Sequence, residues 1–285
     1  MTWDQNFIET DRGTFEVFSK GDGPPLCVTH LYSEFNESGD YFADAFTENH
    51  TVYLVNLREA GGSDGARAPH ELFMIESIFD LESIRRALRI TQWVFAGHST
   101  GGMLACIYGI HASSSLRAMI AVGSAAREYG SSSSACIYHQ KHPDYHLMQH
   151  YIEELKDPNL DEGKRQFISR ERTKLSLYKP EQYENYFTKA IQKKMATARM
   201  NFFAREILQF DLTKQLHNVN TPTLVICGEY DVQCPLEFSE EMAAEVPGAQ
   251  LAVFKHSNHY PFLEEEQAFK KVVHQFIEEV NEVSS

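Results

Sequence analysis

Six compact apolar runs, at residues 25–29, 51–57, 92–97, 116–122, 223–227 and 251–254, set the rhythm of the chain. They lack the strict alternation of a half-exposed strand and suit strands covered on both faces, as in a mostly parallel sheet. Between them, apolar residues recur at three- and four-residue spacing over 71–88, 102–110, 236–244 and 267–280, the stripe of a helix with one side on a sheet. Residues 7–10 and 14–19 flank Asp11-Arg12-Gly13, which predicts a hairpin. Strand and helix in alternation predict a doubly wound α/β sheet with that hairpin at one edge.

The alternation stops between residues 126 and 218. Helical spacing continues at 149–155, 164–177, 180–191 and 195–208, with no convincing strand. A serine run at 131–134 follows Gly130 and suits a flexible entry loop. The expected organisation is therefore a core domain of residues 1–125 and 219–285, and a helical cap of residues 126–218 inserted into it. Set over the strand tips, such an insertion is a lid.

The third apolar run leads into Gly97-His98-Ser99-Thr100-Gly101, followed by Met103, Leu104, Ile107 and Tyr108 at helical spacing. This is the G-x-S-x-G pattern in a strand-turn-helix context, the nucleophile elbow. Small residues on either side of Ser99 let strand and helix meet in a tight turn, and the helix aims its first amides at the hydroxyl. Gly61-Gly62-Ser63-Asp64-Gly65 matches the same five letters, but Arg58 to Ala60 separate it from the preceding run and no apolar helix follows, so Ser63 reads as a loop residue.

A serine hydroxyl needs a base, and the base needs an orienting group, expected in the order acid then histidine. The run 223–227 is followed by Gly228-Glu229-Tyr230-Asp231; Asp231 is the favoured acid and Glu229 its competitor. The run 251–254 is followed by His256 and His259, and His259 has the greater reach across the sheet. For oxyanion donors the residue after the nucleophile, Thr100, supplies one backbone N–H. The loop His30-Leu31-Tyr32 supplies the other, from Tyr32 with Leu31 as runner-up.

Together these blocks resemble the α/β-hydrolase superfamily, over almost the whole chain. His30-Leu31-Tyr32 is similar to the family's His-Gly-x oxyanion loop, with Leu31 where glycine is usual. The stretch 56–64 is similar to its Asp-x-Arg-Gly-x-Gly-x-Ser-Asp loop, with Asn56 for the aspartate and Glu59 for the first glycine. Gly97 to Gly102 matches the elbow, and His259-x-Pro261-x-x-Glu264 matches its His-x-Pro-x-x-Glu, which supports His259 over His256. The resemblance implies a mostly parallel twisted sheet of about eight strands flanked by helices, with an all-helical lid inserted after the sixth strand. It also implies a triad of Ser99, Asp231 and His259, an oxyanion hole framed by Tyr32 and Thr100, and no cofactor.

The leading expectation is a serine hydrolase that cleaves a small carboxylic ester or related acyl compound through an acyl-enzyme. The alternative is a proline-iminopeptidase-like aminopeptidase, which needs lid carboxylates for the substrate's ammonium group. Glu153 and Glu154 are candidates, with Glu171 and Glu181 also available, but Thr100 stands where that branch typically has tryptophan. A ligand-binding member of the fold without turnover is the second alternative.

Composition narrows the partners. The 285 residues carry a formal net charge of −14, which argues against nucleic acid or an anionic membrane and leaves a small-molecule substrate. No signal peptide or membrane span is visible, and five scattered cysteines fit a reducing, cytoplasmic setting. His142, His146 and His150 are spaced by four, but Pro143 disturbs that helix and nothing completes a metal site, so none is expected.

Overall fold

The protein is described by a computed structural model covering residues 2–157, 159–192 and 194–283. The chain opens with β1 (Asp4–Thr10) and β2 (Gly13–Lys20), the expected antiparallel hairpin, with Thr10 opposite Gly13. Next come β3 (Pro25–Thr29), the two-residue β4 (Ser33–Glu34), the short helix α1 (Tyr41–Asp44) and β5 (Thr51–Val55). Then follow α2 (Met74–Ala87), β6 (Trp93–His98), α3 (Thr100–Ala112) and β7 (Leu116–Val122).

Between β7 and the next strand of the large sheet lie α4 (Tyr145–Leu155), α5 (Glu162–Lys174), α6 (Tyr183–Tyr186), the two-residue β8 (Lys194–Met195) and α7 (Thr197–Glu206). The chain closes with β9 (Thr223–Gly228), α8 (Leu236–Glu245), β10 (Gln250–Phe254), α9 (Pro261–Glu264) and α10 (Glu266–Val283).

Eight strands form one sheet in the order β1-β2-β5-β3-β6-β7-β9-β10. β1 and β2 run antiparallel to their neighbours and every other pair is parallel. Alternation along each strand divides the core. Phe95 of β6 and Cys27 of β3 face a cluster with Leu81, Met103 and Phe238 from α2, α3 and α8. Their neighbours Val94, Ala96, Leu26 and Val28 face a second cluster with Phe42, Phe269 and Val273 from α1 and α10. Side chains on a strand point to opposite faces in turn, so helices on both faces demand continuously apolar strands. All six residues of β6 and of β9 are buried, as the runs required.

The helix-rich segment leaves after β7, the sixth strand of the large sheet in chain order. It is tied back to the core by β8, which pairs antiparallel with β4 through Ser33↔Met195 and Glu34↔Lys194. A backbone bond from Ala196 N–H to the Tyr32 carbonyl, 2.8 Å, extends that ribbon. Among the described residues, no helix is long and apolar enough to cross a membrane. All five cysteines are free and buried.

Candidate active site

Ser99 sits in the joint between β6 and α3 with φ 55° and ψ −120°. A left-handed φ on a non-glycine residue is strained, and it holds the side chain out at the strand tip. The joint is tight because a Cβ on Gly97 would collide with the carbonyl of Gly101. Ser99 N–H donates to the Val122 carbonyl at 2.9 Å, which pins the elbow to the tip of β7. Ser63, the other pattern match, fastens its own loop: its hydroxyl donates to the Asn56 carbonyl at 2.8 Å and accepts Glu16 N–H at 2.9 Å.

At the neighbouring strand tips, Asp231 and His259 meet. Nδ1 of His259 lies 2.9 Å from Oδ2 and 3.1 Å from Oδ1 of Asp231, and both side chains are buried. Oδ1 of Asp231 also accepts the N–H groups of Gln233 and Cys234, each at 2.8 Å, so the carboxylate is fixed by its own turn. The competitors are engaged elsewhere. Glu229 pairs with Lys255 at 3.4 Å, and His256 is exposed with its N–H donating to Glu265.

Two contact chains join this pair to the elbow. His98, next to Ser99, places Nε2 2.8 Å from the His259 carbonyl, and the two rings are 4.5 Å apart. Gly123, next to Val122, packs directly against Asp231 and the His259 ring. Glu264 holds the histidine loop from below. Its carboxylate accepts Asn258 N–H at 2.9 Å, Tyr260 N–H at 3.3 Å and Tyr178 N–H at 2.6 Å. Burial raises its pKa above the ordinary carboxyl value, with these N–H donors opposing the rise.

The loop after β3 shows how Leu31 is accommodated. Its side chain is buried in the core cluster. Leu31 N–H donates to Oγ1 of Thr100 at 3.3 Å, and the same oxygen lies 3.0 Å from Nε2 of His30. Tyr32 N–H makes only a long contact, 3.4 Å, to Nδ1 of His30. Of the two sequence candidates, Leu31 N–H is therefore the more committed and Tyr32 N–H the freer donor. Thr100 opens α3 and is fully buried.

The other departures are absorbed nearby. Glu16 supplies the carboxylate that Asn56 lacks, accepting Asn56 Nδ2 at 2.6 Å and Gly62 N–H at 2.7 Å. Glu59 adopts φ 64° where the resemblance has glycine.

Several residues that sequence patterns did not single out reach the site from the inserted segment. The Ser176 carbonyl accepts His259 N–H at 3.2 Å, and its hydroxyl accepts Gln233 Nε2 at 2.9 Å. Arg199 of α7 is buried, with Nε donating to the Leu31 carbonyl, Nη1 to the Arg58 carbonyl at 3.2 Å and Nη2 to the Ser77 hydroxyl at 2.7 Å. Burial lowers its pKa to about 10.

The carboxylates considered for an ammonium group point to surface partners: Glu153 pairs with Lys156 at 2.6 Å, and Glu154 with Lys164 at 3.1 Å and His150 at 3.2 Å. Glu171 pairs with Lys174 and Arg170, and Glu181 is exposed. Two surface depressions, of about 370 and 130 Å3, are lined by neither Ser99, Asp231 nor His259.

The sequence profile of the alpha/beta hydrolase fold matches residues 29–266. A solved alpha/beta fold family hydrolase from Bacillus anthracis str. Sterne superposes with a TM-score of 0.92 at 42% identity, covering 98% of this chain and 100% of that one. Epoxide hydrolase 3 of Xenopus tropicalis is 24% identical over 281 residues, 93% of this chain and 75% of its own. A proline iminopeptidase of Saccharolobus solfataricus is 25% identical over 256 residues, 85% of this chain and 82% of its own.

Proposed function

The chain belongs to the α/β-hydrolase fold family and is a hydrolase, and we propose that it is a serine hydrolase of small carboxylic esters or related acyl compounds. In this reading Ser99 is the nucleophile, His259 the general base and Asp231 the carboxylate that orients it. The observation that carries the proposal is the buried Asp231–His259 pair, 2.9 Å apart, joined through His98 and Gly123 to a serine held at positive φ.

His259 takes the hydroxyl proton as Oγ of Ser99 attacks the acyl carbon. The carbonyl oxygen becomes an oxyanion between the N–H groups of Thr100 and Tyr32. Collapse expels the alcohol, which leaves with the proton from His259, and Ser99 carries the acyl group as an ester. Water then gives a proton to His259, attacks the same carbon, and the second collapse returns the proton to Ser99 and frees the carboxylic acid. Asp231, accepting from Nδ1–H, keeps Nε2 the proton-accepting nitrogen and stabilises the imidazolium. Residues 126–218 act as the cap, because Ser176 within them holds His259 N–H.

Rapid mixing of the enzyme with 4-nitrophenyl acetate tests this reading. Wild type should release nitrophenolate in a burst matching the enzyme concentration, and Ser99→Ala should show none while keeping its circular dichroism. A burst that survives the substitution, or a wild type that binds the ester without turning it over, rejects it.

The relative from S. solfataricus favours testing an aminopeptidase alternative. That reading is supported instead if a prolyl naphthylamide with a free amine is cleaved in preference to its N-blocked form and to simple esters.

A further inference from the structure

Building on the serine-hydrolase reading, we infer that Gln233 is a positioning residue for the Asp231–His259 pair. Its side-chain amide closes a ring of hydrogen bonds that passes through the inserted segment, so the seated cap is part of the acid–base apparatus. Nδ1 of His259 lies 3.1 Å from Oδ1 of Asp231, and that oxygen accepts Gln233 N–H at 2.8 Å. Nε2 of Gln233 donates to Oγ of Ser176 at 2.9 Å, and the Ser176 carbonyl accepts His259 N–H at 3.2 Å, which returns the path to the base. Every residue of the ring is buried.

Asp231 follows β9 and His259 follows β10, whereas Ser176 follows α5 in the inserted segment. Two loops joined at one contact can pivot about it. The core joins these two again through Val232 N–H to Oδ1 of Asn258 at 3.0 Å and Tyr230 N–H to the Ser257 carbonyl at 3.1 Å. Those contacts hold loop to loop. The path through Gln233 and Ser176 instead ends on the carboxylate oxygen itself and on the backbone of His259, so a shift of either group strains it.

The inserted segment also grips Gln233 from a second side. Tyr138 donates to Oε1 of Gln233 at 2.7 Å, Sγ of Cys136 donates to the Gln233 carbonyl at 3.1 Å, and Ile137 N–H donates to the Val232 carbonyl at 2.6 Å. Ser176 is itself fixed by its N–H on the Thr173 carbonyl, 2.9 Å, in the last turn of α5. Hydroxyls of the inserted segment thus engage both ends of the glutamine amide. A buried amide with donor and acceptor both satisfied is held in one orientation. A glutamate in its place would add a second negative charge close to Asp231 and offer Ser176 no N–H.

The test measures kcat and KM for 4-nitrophenyl acetate and 4-nitrophenyl butanoate on wild type, Gln233→Met, Ser176→Ala, their double variant and Ser99→Ala, each checked by circular dichroism. Either single substitution opens the ring at the same link. Each should lower kcat roughly tenfold with KM within about twofold, and by the same factor for both esters, because the ring acts on the acid and base and not on the acyl chain. The double variant should be no slower than the slower single one, since the same link cannot be broken twice. Ser176→Ala removes one oxygen atom and decides the matter if Gln233→Met fails to fold.

Wild-type kcat in a folded Gln233→Met or Ser176→Ala overturns the inference. So does a loss confined to KM or growing with chain length, which would make Gln233 a wall of the acyl pocket, and so does a double variant in which the two losses multiply. In each of those cases Ser99-dependent hydrolysis leaves the serine-hydrolase reading standing. Hydrolysis by Ser99→Ala at the wild-type rate removes that reading, and this inference with it.

Discussion

A Cβ on Gly123 would lie 2.9 Å from Oδ2 of Asp231 and 3.2 Å from Nδ1 of His259, at a residue whose φ is +52°. Gly123→Ala therefore meets two obstacles at once: a backbone that disfavours any side chain and a methyl group wedged between the proposed acid and base. Displacing a catalytic group by a fraction of an ångström to an ångström lowers turnover sharply, so kcat should fall roughly a hundredfold with a much smaller change in KM. Steady-state kinetics on 4-nitrophenyl acetate, with the fold checked by circular dichroism, measures this; a folded variant with wild-type kcat would sink it. Ser99, Asp231 and His259 could be picked out as candidates because each follows an apolar run and has a side chain suited to its proposed chemistry. Gly123 also follows such a run, but nothing in its surroundings along the chain distinguishes it from an ordinary turn glycine. The atoms it must avoid arrive with Asp231 and His259, far along the sequence.

Among the elements, strands covered on both faces were the easiest to read. The run at 116–122 matches β7, and that at 25–29 matches β3, because burial on both faces leaves little room for polar residues. β4 and β8 have two residues each and no periodicity to detect, although their pairing ties the inserted segment to the loop after β3. The next element, α7, adds Arg199, which reaches the carbonyls of Leu31 and Arg58. In sequence Arg199 is one more charged residue on a helix, and only the docking of that helix reveals its acceptors.

Arg199→Met should leave two buried carbonyls and the Ser77 hydroxyl unmet, destabilising the protein by about 2 kcal/mol or more. It should also lower kcat, because the His30–Tyr32 loop loses its brace. Urea unfolding and ester kinetics report the two effects. Loss of stability with kcat intact would make Arg199 purely structural, and no loss of either would contradict the hydrogen bonding described.

At the scale of the molecule, the sheet separates two cores, and His50 lies at the margin of the one that holds α1 and α10. It is 5% exposed, follows the α1 segment and leads into β5. Burial lowers its pKa below the ordinary 6.5, and His274 on α10 adds a push in the same direction. The folded protein therefore favours neutral His50, while the unfolded chain binds a proton near the ordinary value. Stability from this group is complete above pH 6.5 and is lost as the pH falls below it, because protonation then favours the unfolded state. His142 shifts in the same direction but is only half-buried, so a single substitution can isolate the larger contribution. The urea midpoint of wild type should fall as the pH is lowered through the histidine range, and His50→Gln should flatten that fall. Equal slopes for the two proteins would show that the buried neutral imidazole of His50 does not govern the acid limit of this fold.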